Sequence, residues 1–172
     1  MTGILPTSWR PSLSALLPAE PAIYRGPKLA EWFAMAYLLM ITARSLVHLL
    51  SPDGGAHSIA TIDTAVAGGR NIIAIFGQWG AIQLLLAGLL WVLLLRYRGF
   101  VPLVLCVFLL EPLLRGLAGH LKPVETVGIA PGAALNWVVV PVVAAALYLA
   151  LCRPTGPGAI EPDGFNGGRG RD

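Results

Sequence analysis

Four long apolar runs dominate the chain, and no other feature restricts its fold as strongly. The hydrocarbon core of a bilayer is about 30 Å thick, and an α-helix needs roughly 20 apolar residues to cross it. Each run is close to that length or exceeds it, so the sequence predicts an all-α fold, an integral membrane four-helix bundle. The predicted helices cover residues 29–50, 71–95, 100–121 and 135–152.

The charge composition indicates the same surroundings. Only 12% of the residues are charged, whereas a soluble domain carries about 25%. The formal net charge is +3, but the basic residues flank the apolar runs instead of clustering on a nucleic-acid-binding motif. The composition therefore favours membrane lipids as partners and argues against nucleic acid.

The placement of lysine and arginine predicts the orientation. Basic residues are frequent before the first helix, between the second and third helices, and in the C-terminal tail. The other two connections hold only Arg70 and Lys122. The positive-inside rule therefore predicts that both termini are cytoplasmic, N-in and C-in, as an even number of helices requires. In a bacterium this corresponds to a multi-pass protein of the inner (cytoplasmic) membrane.

Composition also divides the chain into three parts. Residues 1–28 contain five prolines and are predicted to form a flexible cytoplasmic N-terminal arm. Residues 29–152 form the predicted transmembrane domain. Residues 153–172 are rich in glycine and proline, which predicts a flexible cytoplasmic tail.

Polar residues recur at one depth of the predicted bundle. Glu111 falls near the middle of the third helix and Arg115 one turn further along, at 1.5 Å per residue. Arg44 on the first helix and Gln78 on the second reach a similar depth. A charge at the centre of a membrane costs at least about 2.5–3.5 kcal/mol. These side chains should therefore point into the bundle, where Glu111 pairs with Arg115, Arg44 or both.

Further residues extend this predicted cluster. Tyr37 and His48 share a helix face with Arg44, and Arg70 opens the second helix. The arginines outnumber the single carboxylate, so an anionic lipid-like ligand would restore the charge balance. The candidate ligand-binding residues are therefore Arg44, Arg115, Glu111, Arg70, Gln78, Tyr37 and His48.

Two other interpretations remain open. A buried Glu–Arg pair also serves to lock helix packing. The same polar faces would suit contacts with other membrane subunits or within a homo-oligomer. In that case the protein is a non-catalytic accessory or structural subunit of a larger membrane complex, held through its tails and helix faces.

Pro112 directly follows the central carboxylate. A proline inside a helix lacks its own N–H and displaces the carbonyl four residues earlier, here that of Phe108. In a membrane such a break is tolerated where the freed groups meet protein or water. The sequence therefore predicts a kink and a small polar cavity beside Glu111.

Motifs of common enzymes and metal sites are absent from the sequence. It has no phosphate-binding loop, dinucleotide fingerprint or zinc-protease motif. The spacing of Asp53, His57, Asp63, His48 and His120 matches no usual ligand pattern. The sequence thus predicts no cofactor and no metal, and it favours a non-enzymatic role.

Two segments carry a resemblance to a known group. "AGGRNIIAIFGQWGAIQLLLAGLLWVLL" and "FVPLVLCVFLLEPLLRGLAGHL" resemble small four-helix bacterial membrane proteins of the DoxX-like kind. The shared elements are Gly68-Gly69 at the opening of the second helix and Arg115-Gly116 in the third. The resemblance covers roughly residues 29–151 and leaves both tails outside it. It implies a four-helix bundle with both termini inside, and it implies no established activity.

Overall fold

The structure, a computed structural model, describes residues 3–129 and 131–152 and contains four α-helices. Two single-turn 3₁₀ helices, Leu13–Ala15 and Arg98–Phe100, are the other regular elements, and no β-strand occurs in the described ranges. The all-α prediction is confirmed, and the predicted tail, residues 153–172, lies outside the described residues. The helices are α1, Lys28–Leu50; α2, Gly69–Arg96; α3, Val101–Leu121; and α4, Pro131–Leu151.

Three of the four predicted spans have the length and apolar character to cross a membrane. They are Lys28–Leu50, Gly69–Arg96 and Arg98–Leu121. The described part of α4 contributes a shorter apolar stretch, Val138–Leu151. The starts of α1 and α3 and the ends of α2 and α4 lie at one end of the molecule, which we call the termini end. The opposite end is the far end.

Glycine and proline determine where the helices begin. Gly68 precedes α2 with φ +87°, a conformation that favours glycine. At Gly69 a Cβ would overlap the backbone carbonyl of Thr64, so only glycine fits there. Pro27 precedes α1, and Pro102 lies in the first turn of α3, where a missing N–H leaves no helical hydrogen bond unmade.

The hydrophobic core is confined to the termini half of the bundle. Its members come from the start of α1, the end of α2, the start of α3 and the end of α4. Along α3 the last buried residue is Pro112, and every residue from Leu113 to Ile129 except the half-buried Arg115 is exposed. The far half of α3 therefore presents its leucines outward. The core residues are Ala30, Ala34, Leu38, Ala87, Leu90, Leu94, Val101, Val104, Leu105, Phe108, Val143, Ala146 and Ala150.

In the far half, α1 and α2 pack closely through Gly80. A Cβ added to Gly80 would lie 2.7 Å from the backbone nitrogen of Leu49 and 2.9 Å from the backbone carbon of His48. The missing side chain thus brings the two helix backbones together, as small residues do between membrane helices.

The α1–α2 connection is ordered by Asp53. Its Oδ2 accepts a hydrogen bond from the backbone N–H of Ser58 at 2.7 Å, and its Oδ1 accepts one from Gly55 at 2.9 Å. The Ser58 bond first and the Gly55 bond second stabilise the ionised form and lower the pKa of Asp53 to about 2. Asp53 is therefore a structural residue of the turn that ends α1.

Thr61 joins the two connections of the far end. Its carbonyl accepts a hydrogen bond from the N–H of Val127 at 2.8 Å, and its hydroxyl donates to the carbonyl of Gly128 at 3.0 Å. Thr61 has φ +55°, which is uncommon outside glycine. These two bonds connect the α1–α2 hairpin to the α3–α4 hairpin beyond the ends of the helices.

The N-terminal arm makes main-chain hydrogen bonds to the helices, which its composition does not predict. The flexibility predicted for it stays a prediction. The N–H of Ser12 donates to the carbonyl of Leu151 at 3.0 Å, and the N–H of Gly99 donates to the carbonyl of Pro21 at 2.8 Å. At the beginning of the arm, the carbonyl of Gly3 accepts from the N–H of Lys28 at 3.1 Å.

Two tyrosine side chains also form hydrogen bonds with the N-terminal arm. The hydroxyl of Tyr148 on α4 donates to the carbonyl of Trp9 at 2.8 Å. Tyr24 is half-buried, and its hydroxyl donates to the carbonyl of Pro27 at 3.3 Å. Burial raises the pKa of Tyr24. The arm therefore crosses the termini end as a fixed layer, because its backbone groups find partners on the helices.

Candidate functional site

Glu111 lies between two arginines. This arrangement is expected because an unpaired charge in the middle of a membrane has a high free-energy cost. Glu111 is the eleventh of the 21 residues of α3, so it is at the centre of that helix. Its Oε1 is 3.7 Å from Arg44 of α1, and its Oε2 is 3.6 Å from Arg115, one turn along α3. Glu111 therefore pairs with both Arg44 and Arg115. We call these three residues the charged cluster.

Two amides complete the polar contacts of the charged cluster. Arg115 donates a hydrogen bond to Oδ1 of Asn136 on α4 at 2.6 Å. Nδ2 of Asn136 in turn donates to the carbonyl of Pro112 at 3.2 Å. On the other side, Arg44 donates to Oε1 of Gln83 on α2 at 3.5 Å. The charged cluster and its two amide partners therefore include residues of all four helices.

Aromatic rings flank the cluster. The guanidinium carbon of Arg44 is 5.8 Å from the centre of the Trp79 ring, within cation–π range. Tyr37 stacks on Phe33 with 5.7 Å between ring centroids, and its ring is 5.0 Å from that of Phe108. The phenol of Tyr37 also interacts electrostatically with all three charged residues. Tyr37 therefore lies beside the cluster.

The pairing of the two guanidinium groups is incomplete. Nε of Arg44 and Nε of Arg115 are both buried and have no hydrogen-bond acceptor. A buried donor without an acceptor costs about 1–3 kcal/mol. Two positive charges share one carboxylate here, so the charged cluster has a formal charge of +1. It can therefore accept a further anionic group.

A small cavity adjoins the cluster between α1, α2 and α3. Its volume is about 30 Å³, and Arg44, Gln83 and Glu111 line it together with apolar residues such as Leu86 and Phe108. About 10–15 Å³ is enough for one water molecule. The cavity is therefore large enough for one water-sized group, and it is too small for a whole lipid. Most of its lining is apolar, and Pro112 is not part of it, so it differs from the small polar cavity that Pro112 predicts.

Two predicted site residues on α2 do not join the cluster. Gln78 is exposed, because it points away from the face of α2 that carries Gln83. Arg70 is also exposed and is thirteen residues before Gln83, which is about 20 Å along the helix. Both were placed by approximate depth, which does not fix the face of a helix.

His48 is buried but has a different role from the predicted one. Its Nδ1 is 2.7 Å from the carbonyl of Gly54, and its ring packs on Trp79 and Phe76. Since Gly54 belongs to the α1–α2 connection, His48 fixes this connection against the end of α1. Its ring packs on Trp79, whose ring centre is also 5.8 Å from the guanidinium carbon of Arg44.

Asn136, Gln83 and Trp79 are the contacts that sequence analysis did not assign to the site. Asn136 is a polar residue in the first half of α4, in the far half of the bundle where Arg115 also lies. That common depth was a usable signal. Among the described residues, no group of three or more His, Cys, Asp or Glu side chains is close enough to hold a metal ion.

Comparison with known proteins gives no relative. The chain matches no protein-family model, no curated protein and no solved structure. The resemblance to DoxX-like proteins therefore stays a prediction, and the geometry of the charged cluster carries the functional argument.

Proposed function

We propose that this is a multi-pass protein of the bacterial inner membrane that binds an anionic amphiphile at Arg44, Glu111 and Arg115. The observation that carries the proposal is the unequal pairing of the cluster: two guanidinium groups face one carboxylate, and both Nε atoms are buried without an acceptor. A phosphate or carboxylate oxygen supplies the missing acceptor. The role is binding, and the cluster contains no catalytic constellation.

The surroundings of the cluster define what such a ligand looks like. The side chains of Arg44, Glu111 and Arg115 are 28%, 30% and 34% exposed. Charged atoms that remain open to hydrocarbon are costly, so a polar group is needed to cover them. The adjoining cavity has a volume of about 30 Å³, which is room for about one oxygen atom. The rest of the ligand lies outside it, against exposed apolar residues such as Leu86 and Leu114.

The alternative is an accessory subunit of a larger complex, held through its tails and helix faces. The ordered N-terminal arm does not favour it, because the hydrogen bonds of the arm are made within the chain. A homo-oligomer would cover the exposed part of the cluster with a second copy, and the ligand experiment below distinguishes that case by mass.

The ligand proposal predicts that an anionic lipid stays bound through gentle purification. Native mass spectrometry of the solubilised protein should show a monomer carrying phosphatidylglycerol in preference to phosphatidylcholine when both are added. Arg44→Ala/Arg115→Ala should weaken this binding by more than tenfold, because a hydrogen bond to a charged group contributes about 1.5–3 kcal/mol. Arg70→Ala, which removes an exposed arginine outside the cluster, is the control.

Equal lipid retention by the Arg44→Ala/Arg115→Ala variant and the Arg70→Ala control would refute the ligand proposal. A dimer that carries no lipid would instead support contact between two copies of the chain. If Arg44→Ala/Arg115→Ala does not fold, Arg44→Lys keeps the charge but removes the Nε donor. It should still reduce retention relative to the control.

The orientation is a separate prediction. Four helices and the basic residues at the termini end favour cytoplasmic termini. Fusions of alkaline phosphatase and a fluorescent protein should therefore report the periplasm, the cytoplasm, the periplasm and the cytoplasm in turn along the chain. A periplasmic signal from the last fusion would contradict this topology. The fusion sites are Ala60, Arg98, Gly128 and Phe165.

A further inference from the structure

The ordered N-terminal arm exposes large apolar side chains. Leu13 and Leu17 are 76% and 73% exposed, and Trp9 is 58% exposed. Single exposed apolar residues are normal, but a set of them within one short segment marks an interaction surface. We call this set the arm patch, and its members are Ile4, Leu5, Trp9, Leu13, Leu17 and Ile23.

The arm is attached to the helices through main-chain atoms, which leaves the arm patch facing outward. The carbonyl of Trp9 accepts from Tyr148, and the carbonyl of Ile4 accepts from the N–H of Leu29 at 3.3 Å. Ser12 is joined to Leu151 by its N–H. The arm therefore keeps its side chains available for a partner while its path is fixed.

The arm patch lies at the level where a membrane surface is expected. Trp32 near the start of α1, Tyr97 after α2 and Tyr148 near the end of α4 are all exposed at the termini end. Such residues are enriched at both membrane–water interfaces. Since Tyr148 contacts the carbonyl of Trp9 directly, Trp9 belongs to the same aromatic layer.

Basic residues accompany the arm patch. Two of those at the termini end pair with carboxylates, Arg25 with Glu20 at 2.6 Å and Arg98 with Glu31 at 3.6 Å. Three others, Arg10, Lys28 and Arg96, are exposed and form no ion pair with the described residues. The excess positive charge is complementary to an anionic lipid surface, which attracts lysine and arginine close to it.

We propose that the N-terminal arm is an in-plane membrane-binding element that inserts Trp9, Leu13 and Leu17 between the headgroups of an anionic leaflet. Amphipathic surface segments bind in this way, through apolar side chains in the boundary region and basic residues at the headgroups. The inference rests on the membrane placement in the proposed function, and it is independent of the ligand at the charged cluster.

Fluorescence quenching in vesicles tests the location of the arm patch. The full-length protein with Cys106→Ala and Cys152→Ala receives one new cysteine, Leu13→Cys, which is labelled with an environment-sensitive dye. It is reconstituted in phosphatidylcholine vesicles containing phosphatidylglycerol. Spin-labelled lipid should quench the dye several-fold more than aqueous iodide does. Leu17→Cys in the same Cys106→Ala/Cys152→Ala background should behave alike.

Two matched positions calibrate the measurement. Leu85→Cys, in the middle of α2 and 78% exposed, should be quenched by spin-labelled lipid only. Asp63→Cys, exposed in the α1–α2 connection, should be quenched by iodide. If Leu85 is accessible to iodide, the membrane placement itself fails and the proposal about the arm fails with it. Lipid quenching at Leu85 but not at Leu13 overturns the arm proposal alone.

The composition of the vesicles tests the charge. Quenching of the Leu13 label by lipid should fall several-fold in vesicles of phosphatidylcholine alone, and also in the variant Arg10→Gln/Lys28→Gln/Arg96→Gln. The variant Arg70→Gln/Lys122→Gln, which removes basic residues at the far end, should have no effect. Equal quenching in neutral and anionic vesicles overturns the assignment to an anionic leaflet. Protection of Leu13 from both quenchers assigns the patch to a second copy instead.

Discussion

Glu111→Gln is expected to lower the unfolding free energy of the detergent-solubilised protein by up to about 3–5 kcal/mol, which is the cost of removing one partner of a fully buried ion pair, because these side chains are only partly buried. The substitution leaves Arg44 and Arg115 at 3.7 Å and 3.6 Å from a neutral amide, so two positive charges lose their only counter-charge. Thermal unfolding followed by tryptophan fluorescence measures the loss.

The double variant Glu111→Gln/Arg115→Gln should be less destabilised than Glu111→Gln alone, because only one unpaired charge remains. Glu125→Gln provides the control, since Glu125 is an exposed carboxylate in the α3–α4 connection. It should leave the unfolding temperature unchanged. Losses that add up in the double variant would show that Glu111 and Arg115 are not coupled.

The second large effect is expected from Gly80→Ala, which should cost about 1–3 kcal/mol because it overpacks the α1–α2 contact. The new methyl group would be 2.7 Å from the backbone nitrogen of Leu49 and 2.8 Å from Cβ of His48. Backbone atoms cannot rotate out of its way, so the two helices must separate. The same movement displaces His48 from the carbonyl of Gly54.

Gly88→Ala on the same helix is the matched control. No atom is within 4 Å of a Cβ built at Gly88, and alanine favours a helix over glycine by up to about 1 kcal/mol. This variant should be as stable as the parent protein or more stable. A similar loss in both variants would mean that the effect of Gly80→Ala comes from helix propensity or insertion and not from packing.

The helices and the charged cluster were predictable because each follows from a constraint that can be recognised in a short stretch of sequence. About 20 apolar residues define a span, and an unpaired charge at mid-depth must find a partner. Those two constraints are enough to predict the helices α1 to α3 and the pairing of Glu111 with Arg44 and Arg115. They do not determine which face of a helix a residue occupies, so Gln78 was chosen where Gln83 makes the contact.

The hydrogen bonds of the N-terminal arm could not be predicted for a different reason. Its contacts are made by the N–H of Ser12 and the carbonyls of Gly3 and Pro21, and nearly every residue type carries such groups. Proline-rich composition therefore predicted flexibility, whereas the fold supplies partners at the helix ends. Asn136 was missed because its two bonds, to Arg115 and to the carbonyl of Pro112, depend on how α4 packs against α3.

The main-chain attachment of the arm has a consequence for how this protein can evolve. Exchanging Leu13, Leu17 or Trp9 alters the outward surface but removes none of the backbone bonds at Ser12 and Gly99. Only proline at those two positions would delete a donor. Single substitutions can therefore change the outer surface of the arm without removing the hydrogen bonds that attach it. Selection for folding acts on other parts of the chain.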